Sequence, residues 1–272
     1  MLVPRAAPGS MPITVYPLAY DEYGTGLPVV LLHGFPHDHT LWKPQLGAFV
    51  DACRCIAPDL RGFGNSLVEP PYSMDQYADD VVALLDKLGV DRALISGLSM
   101  GGYVAFAIWR RHRERVRALV FADTRAGADT DEMRAARRVQ VDLVRSRGAA
   151  VLAAQLVPGQ LGARTRERHP DIVEVVRDMI ARAPVDGIVG ALEAMMARPD
   201  STPTLATIDV PTLVLVGEED RLTPLAESQK IHAGIAGSLL ETIAGAGHLS
   251  NLERPAAFNH VLSEFVGRLR YA

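Results

Sequence analysis

The sequence predicts an α/β protein: a mostly parallel sheet flanked by helices, with a helical insertion. Three observations carry that prediction. Short apolar runs alternate with stretches of helical period from residue 28 to residue 122. Over 125–205 the alternation stops, and Arg- and Ala-rich helical stretches follow one another with no clear strand. At residue 212 the alternation resumes. Strand, helix, strand in repeated order builds a parallel sheet covered by helices on both faces.

The elements follow in order. Residues 28–32 (PVVLL) form a continuous apolar run, as a strand buried on both faces requires, and lead into HGFP. A helix is expected over 41–50 and a strand over 54–58, running into DLRGFGNS. Ser73 stands at an N-cap position before MDQYADDVVALLDKL, whose apolar residues recur at helical spacing to residue 88. Strand 93–97, helix 100–111 and strand 116–122 come next. Pro158, Pro170, Pro184 and Pro199 punctuate the insertion. Strand 212–216, helix 225–233, strand 239–243 and a C-terminal helix over 253–269 complete the pattern. The expected organisation is a core of 11–124 and 206–272 with a helical cap at 125–205. Residues 1–10 (MLVPRAAPGS) are polar, Pro-rich and aperiodic, and read as a leader or disordered tail. Met11 then opens a first strand-like run.

Composition narrows the function classes. A length of 272 residues suits one core with an insertion, and 48% hydrophobic with 22% charged residues is ordinary for a globular enzyme. A formal net charge of -4 gives no global attraction to nucleic acid or to an anionic membrane. No apolar run reaches the roughly 18 residues of a membrane span, and the N-terminus lacks a signal peptide's apolar stretch. The two cysteines, Cys53 and Cys55, share one face of a strand and are expected as reduced thiols in a cytoplasmic protein. A redox or metal pair would want C-x-x-C spacing and further ligands. The cluster RRHRER at 110–115 could be a nucleic-acid patch, but cations at a solvated helix C-terminus explain it more simply.

The decisive segment is ALISGLSMGG at 93–102, which places G-x-S-x-G (Gly97, Ser99, Gly101) between an apolar strand and a helix. The motif is short and recurs by chance, so its context decides. A sharp strand-to-helix turn lifts the serine hydroxyl clear of the sheet, and any side chain at 97 or 101 would collide with the neighbouring elements. The following helix points its positive end at the reaction centre. An oxyanion hole needs two backbone N–H groups. Met100 follows the nucleophile and is one donor; Phe35, after His33-Gly34, is positioned as the other. His33 is expected to hold its loop, and His37 and His39 to be surface or loop residues. Two further loops follow strands: GEEDRLTP, with Asp220, and GAGHLSNLERP, with His248. The ends of parallel strands are where such sheets bind ligands, and Ser…Asp…His is the chain order of one triad class. Asp123, in FADT after strand 116–122, is the rival acid. GEEDRLTP favours Asp220, because its Gly frees the turn and Glu218 and Glu219 sit too early with longer side chains.

Taken together, HGFP, PDLRGFGNS, GLSMGG, GEEDRLTP and GAGHLSNLERP resemble the α/β-hydrolase superfamily over the chain from Met11. GLSMGG is similar to the carboxylesterases, the 3-oxoadipate enol-lactonases and the cofactor-free perhydrolases. The resemblance implies the α/β-hydrolase fold, a triad of Ser99, Asp220 and His248, oxyanion amides at Phe35 and Met100, a cap at 125–205 and a structural Arg61. Haloalkane dehalogenases and epoxide hydrolases carry Asp at the elbow, so Ser99 argues against both. The expected reaction is acyl transfer to water from a small-molecule ester or lactone, with no metal or organic cofactor. A carboxylesterase is the first reading; a lactonase or C–C bond hydrolase, or a ligand receptor on the same fold, are the alternatives. Of the cap's Met133, Leu156, Met179, Leu192, Met195 and Met196, most are expected to pack and one or two to line the pocket. Met195 and Met196 are the substrate-binding candidates. Such a lining favours small, uncharged substrates.

Overall fold

The computed structural model describes residues 18–271. The expected leader at 1–10, and the start of the run at Met11, lie outside the described residues. Seven strands, β1 (Tyr20–Tyr23), β2 (Leu27–Leu32), β3 (Cys53–Pro58), β4 (Ala93–Leu98), β5 (Val116–Ala122), β6 (Thr212–Gly217) and β7 (Leu239–Ile243), form one sheet. Their order is β1-β3-β2-β4-β5-β6-β7. Every pairing is parallel except β1 with β3.

The apolar runs form central strands because both of their faces are covered. Val30 and Leu32 of β2 join the core on one face, and Val29 and Leu31 the core on the other. Helices α2 (Met74–Lys87) and α3 (Met100–His112) pack on the first face. Helices α1 (Lys43–Ala48) and α12 (Pro255–Tyr271) pack on the second. Cys53 and Cys55 are buried free thiols in this second core. The Ser73 hydroxyl caps α2, accepting from the Gln76 amide at 3.0 Å. Across the first face, Arg61 donates to Asp80 of α2 through Nε (2.6 Å) and Nη2 (2.7 Å), a buried structural pair.

Three details differ from the sequence reading. Strand β1 was not expected: YDEY is polar and partly exposed, and only its pairing with β3 makes it a strand. The expected 41–50 helix opens as a 3₁₀ turn, His39–Trp42, capped by Asp38, before α1. The C-terminal helix, α12, starts two residues later than expected, with Pro255 at its first position, and a separate single turn, α11 (Ser250–Glu253), precedes it. Several side chains of RRHRER contact acids of α2. Arg111 and His112 pair with Asp79 at 2.8 and 2.7 Å, and Arg115 pairs with Asp86 at 2.7 Å. No described helix is long and apolar enough to cross a membrane.

Between β5 and β6 the chain is helical throughout: α4 (Asp131–Arg147), α5 (Ala149–Gln160), α6 (Ala163–Arg168), α7 (Pro170–Ala181), α8 (Val185–Ala197) and α9 (Thr202–Leu205). Buried Arg198 moors this segment. Its guanidinium lies 4.0 Å from the centre of the Tyr103 ring on α3, and donates to Asp129 at 2.6 Å. The remaining helix, α10 (Leu225–Gly234), joins β6 to β7.

Candidate active site

Ser99 occupies the turn between β4 and α3 with φ 55° and ψ -112°, a region that non-glycine residues rarely enter. The turn is possible because its flanks have no side chains. A Cβ on Gly97 would lie 2.2 Å from the Gly101 carbonyl oxygen, and one on Gly101 would lie 2.3 Å from that of Leu32. The strained residue is held from both sides. Its N–H donates to the Ala122 carbonyl (2.9 Å), and its own carbonyl accepts from Gly102 N–H (2.9 Å) and the Thr124 hydroxyl (2.7 Å).

The loops after β6 and β7 bring Asp220 and His248 to the same place. His248 Nε2 is 2.9 Å from Ser99 Oγ, and its Nδ1 is 2.9 Å from Asp220 Oδ2. Asp220 also accepts from the Thr223 hydroxyl (2.5 Å) and from the amides of Leu222 (2.8 Å) and Thr223 (3.0 Å). Burial opposes ionisation of Asp220, but the nearby His248 and these donors outweigh it and hold the carboxyl below its usual range. Burial likewise opposes protonation of His248, yet Asp220 lifts it above the ordinary histidine value. The Gly in GEED serves a different purpose from the turn expected of it. A Cβ on Gly217 would sit 2.0 Å from the Gly247 carbonyl oxygen, so the glycine lets the acid loop and the histidine loop close on each other.

Asp123 is fully buried in the same region, with φ 46°. Its Oδ1 accepts from the Gly217 amide (2.7 Å) and its Oδ2 from the Ser250 hydroxyl (2.5 Å). It therefore ties the acid loop to the histidine loop, while its neighbours Ala122 and Thr124 hold Ser99. Burial, reinforced by the charge of Asp220, pushes its carboxyl up to about 8.

Phe35 lines the cavity beside Ser99. The preceding Gly34 lies close to the elbow, since a Cβ there would be 3.3 Å from that of Ser99. The Met100 amide opens α3 and has no partner within the helix. His33 holds the loop: its Nε2 accepts from Leu60 N–H (2.9 Å), leaving Nδ1–H to donate to the Gly34 carbonyl (2.9 Å). His37 is not at the surface. Burial pushes it down to about 3, and its Nε2 lies 3.3 Å from Gln160 Oε1. His39 is partly buried against Asp59 at 2.7 Å. Gln160, at the end of α5, accepts from the His248 amide (2.9 Å) and donates to the Phe35 carbonyl (3.2 Å). One residue of the helical segment thus touches both loops.

The cavity, about 290 Å³, is lined by Ser99, His248 and Phe35 together with Met133, Leu156 and Met195 from the helices. Met179 and Leu192 are buried in the two cores instead. Met196 is not among the residues that line it; it lies one step, about 100°, around α8 from Met195. Sequence reasoning missed Arg125, Arg137, Gln140, Gln160 and Arg221 as lining residues. A signal existed for some of them: Met133, Arg137 and Gln140 fall at i, i+4 and i+7, one stripe of α4.

The family model described as alpha/beta hydrolase fold matches residues 28–255. The 3-oxoadipate enol-lactonase 2 of Acinetobacter baylyi is 33% identical over 230 residues, 84% of each chain. A thermophilic esterase from Thermogutta terrifontis, solved with malate bound, superposes with TM-score 0.90 at 41% identity over 93% of both chains. The enol-lactonase from Burkholderia xenovorans LB400 superposes with TM-score 0.85 at 30% identity, over 92% of this chain and 96% of that one. The family match, the sequence identities and the superpositions agree, and the chain belongs to the α/β-hydrolase family.

Proposed function

We propose that this chain hydrolyses small carboxylic esters or lactones through an acyl-enzyme on Ser99. The observation that carries the reading is the unbroken line Ser99 Oγ, His248, Asp220, with 2.9 Å at each step and the serine open to the cavity. Ser99 Oγ attacks the substrate carbonyl as His248 Nε2 takes its proton. The oxyanion rests on the Phe35 and Met100 amides. Protonated His248 then gives its proton to the leaving alkoxide, and a water repeats both steps on the acyl-enzyme. Asp220 keeps the Nδ1–H tautomer and offsets the imidazolium charge. In this reading 125–205 is a cap on the core of 11–124 and 206–272, and Met195 is its substrate-facing methionine.

The 33% identical enol-lactonase favours a cyclic substrate as the second reading. The chemistry is the same, except that the leaving alcohol stays tethered to the acyl group. Kinetics on a matched open-chain ester and lactone separate the two. For either, Ser99→Ala should lower kcat on the order of 10⁶-fold without loss of fold. A fluorophosphonate should add its mass to the Ser99 peptide. Activity near wild type in the variant, or labelling of another serine, would refute the assignment.

A further inference from the structure

The triad chemistry leaves the charge of the cavity unexplained. Arg125, Arg137 and Arg221 line it beside Ser99 and His248, and among the described residues no Asp or Glu lines it. The three differ in what engages them. Arg137 donates to Asp129 at 2.6 Å, an acid it shares with Arg198. Arg221 is exposed and has no ion pair among the described residues. Arg125, just past β5, is half-buried. One of its terminal nitrogens lies 3.3 Å from the Met133 sulfur, and the other donates to the Leu222 carbonyl. Among the described residues its buried Nε has no hydrogen-bond partner, and no carboxylate pairs with its charge. A half-buried guanidinium with an unused donor is costly unless a ligand supplies the missing acceptor.

We infer that Arg125, assisted by Arg221, forms a carboxylate subsite, and that the ester or lactone cleaved at Ser99 carries a free carboxylate. This rests on the Ser99 reading, and it replaces the uncharged substrate that the cap methionines suggested. A guanidinium presents parallel donors that match a carboxylate's two oxygens, and the anion both meets the buried donor and balances the surplus charge. The subsite also bears on the reaction. Arg125 is close enough to His248 to disfavour its protonated form. A seated carboxylate offsets that repulsion while His248 holds the Ser99 proton, so a charged substrate gains in kcat as well as in KM.

The test compares the monoethyl ester of succinic acid with a neutral ester of the same shape, in which a methyl ketone replaces the far carboxylate. The wild type should prefer the charged ester by kcat/KM, and added salt should erode that preference. Arg125→Met should lower the charged-to-neutral ratio by about tenfold to a hundredfold, the worth of one charge-assisted hydrogen-bonded pair. Arg125→Lys, which keeps the charge without the fork, should recover part of it, and Arg221→Gln should lower the ratio less. Should Arg125→Met fail to fold, competitive inhibition of the wild type by succinate but not by succinamide reads the same subsite. A wild type that prefers the neutral ester, or a ratio unmoved in Arg125→Met, overturns the subsite while leaving Ser99 hydrolysis standing. No turnover of either ester, with Ser99 unlabelled by fluorophosphonate, would bring down the Ser99 reading and the subsite with it.

Discussion

The loops after β5 and β6 each hold a buried aspartate at the same edge of the sheet, yet only one reaches the histidine. Asp220 sits in a loop that supplies its own donors, two amides and the Thr223 hydroxyl, so it stays ionised and still presents Oδ2 to His248. Asp123 spends its two oxygens on Gly217 and Ser250, and burial favours its neutral form. Edge position is common to both; what separates them is the supply of donors close in the chain. One carboxylate becomes the histidine's partner, and the other the strut that joins the three loops.

The largest expected effect tests the first half of this contrast. Asp220→Asn preserves shape but favours the wrong histidine tautomer, and should lower kcat by about 10⁴-fold. It should also move the acid limb of kcat/KM. Activity needs neutral His248, so it rises as pH climbs through the His248 pKa, which lies above the ordinary 6.5 in the wild type. Without the Asp220 charge that limb should shift to lower pH. A larger loss in Asp123→Asn than in Asp220→Asn would reverse the assignment.

Asp123 itself offers the intermediate effect. Asp123→Ala removes both anchors and should cost roughly tenfold to a hundredfold in kcat/KM, as two buried hydrogen bonds are lost. Asp123→Asn nearly matches the protonated acid and should cost much less at pH 7. The wild-type profile should carry an inflection where Asp123 ionises, near 8, that Asp123→Asn lacks. An inflection that survives the substitution would assign it to another group.

The smallest effect is at Thr223. Thr223→Val deletes the hydroxyl that donates to Asp220 Oδ2, but the two amides remain. A loss of about fivefold in kcat is expected from one hydrogen bond, measured beside a circular dichroism spectrum to check the fold. A loss matching that of Asp220→Asn would show that the amides contribute little.

What the sequence determined by itself is what short-range physics encodes. PVVLL and TLVLV, short and bounded by Gly and Pro, read as strands covered on both faces; Gly97 and Gly101 announce an elbow that no larger residue permits; Ser73 marks the start of α2. The succession of strands β2 to β7 along the chain, the serine turn and the loops bearing Asp220 and His248 were legible for that reason. The tertiary structure decided what depends on residues distant in the chain. YDEY became a strand only through β3, His37 was buried by Gln160, 123 positions away, and Met196 was turned from the cavity that Met195 lines. Arg125, Arg137 and Arg221 meet around one space although separate segments carry them, so the charge of the cavity belongs to no local motif. Each loop that carries Ser99, Asp220 or His248 is written in adjacent residues. The surface of the cavity is assembled from side chains whose neighbours are set only when the chain closes on itself.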